Sequence, residues 1–257
     1  MESNILIIVE GAKTEPAFFK RLSNLLNQKF EIYYLGTNIY TLYTRMKEID
    51  FNGDLKAVLT EIHPEKRAVL SKKFAYTYLI FDCDAHHPKK IDTRNINEIV
   101  RDNFTKLAEM AEYFVDETDP SIGKLYINYP MMESYRDCDC FFDNQYAFAT
   151  IKISDISDYK NIVSKRGLCN VRIDNYTKEQ FLLLSLQNIY KLNKIIFNDW
   201  AKMSYDEYLQ YSTAIELLLA ERNIVNSNSE MAVINTSLFL IIDYYGNKNG
   251  FYDSLNV

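Results

Sequence analysis

Two apolar runs, each closed by carboxylates, restrict the fold more than any other feature of this chain. Ile5-Leu6-Ile7-Ile8-Val9 stops at Glu10-Gly11, and Tyr78-Leu79-Ile80-Phe81 stops at Asp82-Cys83-Asp84. Unbroken runs of this kind, without the alternation of a half-exposed strand, belong to strands buried on both faces, as in parallel sheets covered by helices. The acids that end the runs then fall at the carboxyl edge of the sheet, where open α/β folds place their ligand sites.

The intervening segments fit that scheme. Thr14 is expected to cap a helix with Pro16 in its first turn, and Phe18, Phe19, Leu22, Leu25 and Leu26 recur at helical spacing. A strand over 30–35 and helices around Leu42, Met46 and Ile49 and over 55–62 precede the second acidic run. After the polar stretch 86–90, Asn95 and Glu98 form a capping-box pattern for a long helix, and a strand follows over 124–129. The expectation is an α/β domain over 1–150, an open, mainly parallel sheet flanked by helices. Residues 151–257 read as a C-terminal helical annex, with helices over 181–197, 204–222 and 230–245 and no Gly/Ser/Pro linker before them.

Bulk properties narrow the function. A net charge of −6, with neither half basic, excludes a simple nucleic-acid coat. It leaves room for a metal-dependent nuclease, whose bound cations supply local positive charge. Four cysteines without a dense framework, and an opening that runs straight into a strand, fit a reducing cytoplasm. The apolar stretch 231–242 is interrupted by Asn235 and is too short to span a bilayer, so no membrane segment is expected.

Asp82 and Asp84, two positions apart at a strand end, lie on one side and can reach one hard cation if the chain bends after them. Glu10 can be a further ligand or a base toward water. The plainer alternative is that both aspartates cap the following loop. Lys13, Lys89, Lys90 and Arg94 flank the acids and could position a phosphate backbone, although loop cations are usually solvated. His86 and His87 follow the second acid pair, and adjacent histidines in a loop tend to diverge, which disfavours a metal role for the two together. The Cys138-x-Cys140 spacing lacks the second half of a zinc site.

Val9-Glu10-Gly11-Ala12-Lys13-Thr14-Glu15-Pro16-Ala17-Phe18-Phe19 resembles the opening motif of RloB-like proteins, and Phe81-Asp82-Cys83-Asp84 is similar to the DxD motif of TOPRIM catalytic domains. TOPRIM is the fold shared by topoisomerases, primases and nucleases related to the overcoming-lysogenization-defect proteins. The resemblance covers about residues 4–135 and leaves the C-terminal helices without a counterpart. It implies a TOPRIM-like sheet, Glu10 as the strand-end acid, Asp82 and Asp84 on Mg²⁺ or Mn²⁺, and Glu133 as a later acidic residue. It also implies nuclease activity on DNA or RNA, transfer RNA included, in prokaryotic anti-phage or abortive-infection defence. The resemblance further implies an ATPase partner, since TOPRIM nucleases of defence systems commonly work with or are fused to an ATPase and this chain has no phosphate-binding G-x-x-x-x-G-K-[ST] loop of its own. Pairing of copies through the C-terminal helices is a further expectation. Two rivals stand beside this reading: a metal-dependent glycosyltransferase using the same DxD, which leaves Glu10 without a role, and a non-catalytic scaffold for an ATPase or a phage protein.

Overall fold

The computed structural model describes residues 5–87 and 94–256. Strand β1 (Ile5–Val9) leads into α1 (Thr14–Leu26), β2 (Phe30–Tyr34), α2 (Ile39–Glu48), α3 (Leu55–Ile62) and the short α4 (Arg67–Leu70). Strand β3 (Tyr76–Asp82) is followed by α5 (Ile96–Tyr113), β4 (Val115–Asp116) and β5 (Gly123–Asn128). The rest of the chain forms β6 (Thr150–Lys152), α6 (Tyr159–Val163), α7 (Lys178–Phe197), α8 (Tyr205–Tyr211), α9 (Ala214–Asn228), β7 (Glu230–Ala232), α10 (Phe239–Tyr245) and α11 (Phe251–Ser254), with several single-turn 3₁₀ segments between them.

The main sheet has the order β2-β1-β3-β5-β4. Its first four strands are parallel, and β4 is antiparallel to β5 at the edge. β1 is wholly buried, as its unbroken apolar run requires. From β1 the chain steps outward to β2, then crosses back to place β3 on the other side of β1. The strand order therefore reverses between β1 and β3, and the crevice at such a reversal is where parallel sheets bind ligands. Glu10 and Asp82 leave the sheet at that crevice.

Helix starts and breaks differ from the sequence expectations in instructive ways. Thr14 is the first residue of α1 rather than its cap; Lys13 holds the cap position with no side-chain cap bond, while the Glu15 carboxylate accepts the Gly11 N–H at 3.1 Å. Asn95 does cap α5, through the Asn97 amide. The helix expected over 204–222 is two helices, because the Thr213 side chain accepts the Glu216 N–H and starts α9 afresh. The one expected over 230–245 opens as β7, antiparallel to β6, and Ile234 bridges Tyr129 before α10 begins. The apolar run Met231 to Ile234 thus follows its β-branched residues into extended structure.

The C-terminal elements pack on the sheet layer, and one hydrophobic cluster runs from Ile5 to Leu255. Helix α7 is largely buried, and not only through apolar residues: Ser185, Gln187, Asn188, Lys191 and Asn193 are buried as well. These polar groups are used, with Asn188 Oδ1 accepting the Asn235 N–H at 2.8 Å and Ser185 Oγ donating to the Leu238 carbonyl at 3.1 Å.

Gly123, which opens β5, has φ +83°, and a Cβ built there would lie 2.7 Å from Leu79 Cδ1 and 3.2 Å from the Thr77 carbonyl oxygen. The backbone conformation and the close approach to the neighbouring strand both demand glycine. Gly123→Ala is expected to destabilise the protein by about 2–4 kcal/mol, measured as a lowered urea midpoint with an unchanged m-value.

Candidate active site at the carboxyl edge of the sheet

Val9 of β1 is level with Ile80 of β3, so Glu10 emerges beside the final residues of β3. Asp82, the last of these, is buried, and its Oδ1 accepts the Met132 N–H at 2.7 Å. Asp84 has φ +38°, an uncommon backbone conformation for a residue with a side chain. Its turn is held by hydrogen bonds from the Asp84 N–H to the Pro130 carbonyl, 3.3 Å, and from the His87 N–H to the Asp84 carbonyl, 2.8 Å. Asn103 of α5 donates to the carbonyls of Ala85 and His87, and the Tyr40 hydroxyl of α2 donates to that of Cys83. Two helices thus brace the turn that carries Asp84.

The pairing of Asp82 with Asn128 brings the chain after β5 to the same edge. There the turn Met132–Arg136 carries Glu133, whose carboxylate is buried. Asn235 anchors this turn by donating to the Met132 carbonyl at 2.8 Å and to Ser134 Oγ at 3.1 Å. The C-terminal part of the chain therefore shapes the acidic edge. It also supplies a cation: Lys160 of α6 reaches Glu133 Oε1 at 3.2 Å.

Electrostatics ties these groups together. Burial, then the charges of Asp84 and Glu15, push the Glu10 carboxyl up to about 8, while the Asp82 main chain and Lys160 pull the other way. Burial also holds the Asp82 carboxyl well above the usual range, reinforced by Glu10, Asp84, Glu15 and Glu133. Glu15 is raised by burial and by Glu133. Lys160 loses some basicity to burial but regains more from Glu133, Asp82 and Glu15, so its net shift is upward. Mutually raised carboxylates whose neighbouring cation among the described residues is Lys160 are an arrangement that additional positive charge would relieve.

Of the residues singled out in the sequence, Glu10, Asp82, Asp84 and Glu133 come together at this edge. Glu15, from the same motif as Glu10, joins them: it is buried, and its carboxylate lies against Gly11, where a Cβ would stand 2.8 Å from Oε2. Lys13 is exposed at the start of α1. Arg94 forms an ion pair with Asp102 on α5. Lys89 and Lys90 lie outside the described residues. The His87 ring stacks on Tyr40 with centroids 5.6 Å apart, while His86 is buried, so the two histidines have separate surroundings. Lys160 was not foreseen, and a lone lysine on a short helix about eighty residues beyond Asp82 carries no local signal.

Among the described residues, no three His, Cys, Asp or Glu side chains are disposed as a ready-made metal cage. The donor chemistry nevertheless fits a hard divalent cation. The donors are carboxylates, and the buried oxygens Glu10 Oε2 and Glu133 Oε2 have no hydrogen-bond partner. Mg²⁺ commonly takes only one or two carboxylates and keeps several waters. No helix among the described residues is long and apolar enough to cross a membrane. No protein-family model, curated protein or solved structure matches the chain.

Proposed function

We propose that this protein is a metal-dependent nuclease that hydrolyses phosphodiester bonds, with its site between the ends of β1 and β3. The observation that carries this reading is the convergence of Glu10, Glu15, Asp82, Asp84 and Glu133 at the strand-order reversal, with the carboxyls of Glu10, Glu15 and Asp82 raised. Asp82, Asp84 and Glu10 would hold Mg²⁺ or Mn²⁺, which when bound polarises a phosphate and acidifies water. Glu10 has one buried carboxylate oxygen unengaged. Burial and like charge raise its carboxyl in the metal-free protein, and a bound divalent cation would ionise it to serve as a ligand or to accept a proton from water. Glu133 holds Lys160 at the rim, where the largely exposed ammonium can meet a phosphate oxygen. The resemblance of the Glu10 and Asp82 motifs to RloB-like and TOPRIM sequences supports a cytoplasmic effector of anti-phage defence that works with an ATPase partner.

The test is cleavage of labelled plasmid DNA, messenger RNA and total transfer RNA by purified protein in Mg²⁺, Mn²⁺ or EDTA, alone and with a candidate ATPase. Cleavage that requires the metal and disappears in Glu10→Ala and in Asp82→Ala/Asp84→Ala supports the reading and identifies the substrate class. A second reading, a non-catalytic scaffold, is favoured by the lack of a preformed metal cage among the described residues. Failure to cut with either metal and with the partner present, together with no Mg²⁺ binding by calorimetry, selects it.

A further inference from the structure

A cavity of about 900 Å³ lies at the other end of the sheet. Its walls include Tyr76 and Tyr78 at the start of β3, Tyr244 and Tyr245 at the end of α10, and Phe251 at the start of α11. Tyr76 is the first residue of β3 and Asp82 the last, so roughly 20 Å of strand separates the cavity from the acids. The volume is in the range of small-molecule sites, about 300–1,000 Å³.

The arrangement of the rings says what such a molecule must look like. Tyr76 and Tyr78 are near parallel, 6.5 Å apart and tilted by 16°, and Tyr78 and Tyr126 continue the column at 5.9 Å and 26°. The column is capped by protein at Tyr126, which is 2% exposed, and opens at Tyr76, which is 36% exposed. Its open end offers an aromatic face to a further planar ring, with Tyr244 and Tyr245 contributing another wall.

Charge decides between a planar ring and a cation. The Asp243 carboxylate at the cavity is already engaged by Lys124 at 2.5 Å and by the hydroxyls of Tyr126 and Tyr208. Lys178 already stands 4.8 Å over the Tyr245 ring, and Lys248 lines the opening. A cation would meet Lys248 as well as the Glu117 carboxylate, whereas an anionic tail directed at Lys248 and away from Glu117 would gain an ion pair. Glu117 and Asn249, also on the lining, provide hydrogen-bond partners for the edge of a heteroaromatic ring.

We propose that this cavity binds a mononucleotide, its base stacked on the open face of Tyr76 and its phosphate toward Lys248. The site is separate from the acidic edge, needs no metal, and would give the protein a small-molecule input independent of any chemistry at Glu10 and Asp82.

The experiment is isothermal titration calorimetry of the full chain in EDTA with the four ribonucleoside 5′-monophosphates, the matching nucleosides, and spermidine as a cationic control. Binding of at least one monophosphate is expected. Tyr76→Ala should weaken it about tenfold or more, and Tyr76→Phe should retain it, because stacking needs the ring and not the hydroxyl. Lys248→Ala should weaken the nucleotide several-fold and leave the nucleoside unchanged. Tyr76 and Lys248 are exposed enough for these variants to fold, which circular-dichroism melts would verify; Tyr244→Ala supplies an independent wall. No binding of any nucleotide at millimolar concentration overturns the proposal, as does spermidine binding more tightly than every nucleotide, or nucleotide binding unaffected by both Tyr76→Ala and Tyr244→Ala. Nuclease activity does not enter the readout, so the two readings stand or fall separately.

Discussion

Asp82→Asn is expected to lower the proposed metal-dependent cleavage by at least about a hundredfold and, in EDTA, to raise the melting temperature. The two effects have one cause. Asp82 is buried among Glu10, Asp84, Glu15 and Glu133, so its ionised form is held against both desolvation and like charge. An asparagine at this position can still accept the Met132 N–H through its own Oδ1, so the turn that carries Glu133 keeps its anchor. What disappears is the negative charge. Removing groups that only support a metal ligand commonly costs 10–100-fold, and removal of a proposed ligand should cost no less. Without metal, the same change removes the cost of burying this carboxyl, either as an anion among like charges or by taking up a proton on folding, and so stabilises the folded state. Cleavage measured alongside thermal melts separates the alternatives: loss of activity with lowered stability would indicate a structural aspartate, and unchanged activity would remove Asp82 from the site. Mg²⁺ should raise the melting temperature of the wild type and do so much less for the variant.

The sheet was readable because its strands are buried on both faces and so carry an uninterrupted apolar signal that ends where the chain leaves the core. That signal located β1 and β3 closely, together with the carboxylates at their ends. Its limit shows after residue 150. Met231 to Ile234 reads as part of an apolar helix, yet its conformation is decided by partners far away in sequence: β6, and Tyr129 beyond β5. The break between α8 and α9 depended on one capping threonine in a sequence with many hydroxyl residues. At the site, the strand-end acids were visible and their supports were not. Lys160, Asn235 and Asn103 act through contacts that only the packed chain creates. Glu15 was visible in its motif, but its burial against Gly11, and hence its membership of the charged cluster, depended on the geometry of the loop after β1.

Lys191→Met should have the largest effect on stability away from the acidic edge, a loss of about 3–5 kcal/mol near neutral pH. Lys191 is 2% exposed, and its ammonium donates to the carbonyls of Tyr146, Ala147 and Ala149 at 3.2, 3.1 and 2.8 Å. Methionine fills similar space but has no donor, so buried carbonyls lose their partner. Across the helix pair, Glu221 of α9 is fully buried, with Oε2 accepting the Ala232 N–H at 3.0 Å. Burial pushes the Glu221 carboxyl up to about 8 and Lys191 down to about 8, each opposed in part by the charge of the other. The signs of their pH dependences are therefore opposite. From about 4.5 to 8 the unfolded chain has released the Glu221 proton and the folded protein retains it, so stability falls as pH rises. From about 8 to 10.5 the unfolded chain keeps the Lys191 proton and the folded protein has lost it, so stability rises. This pair consequently contributes a minimum near pH 8. Urea unfolding of wild type, Glu221→Gln and Lys191→Met across that range should show the falling limb weakened in the first variant and the rising limb weakened in the second. Lys191→Met should also raise the Glu221 carboxyl further by removing the charge that opposes its desolvation, extending the falling limb upward. Parallel curves for all three proteins would mean that these groups titrate alike in the folded and unfolded states, and the assignment of a raised Glu221 carboxyl and a lowered Lys191 ammonium to this core would be wrong.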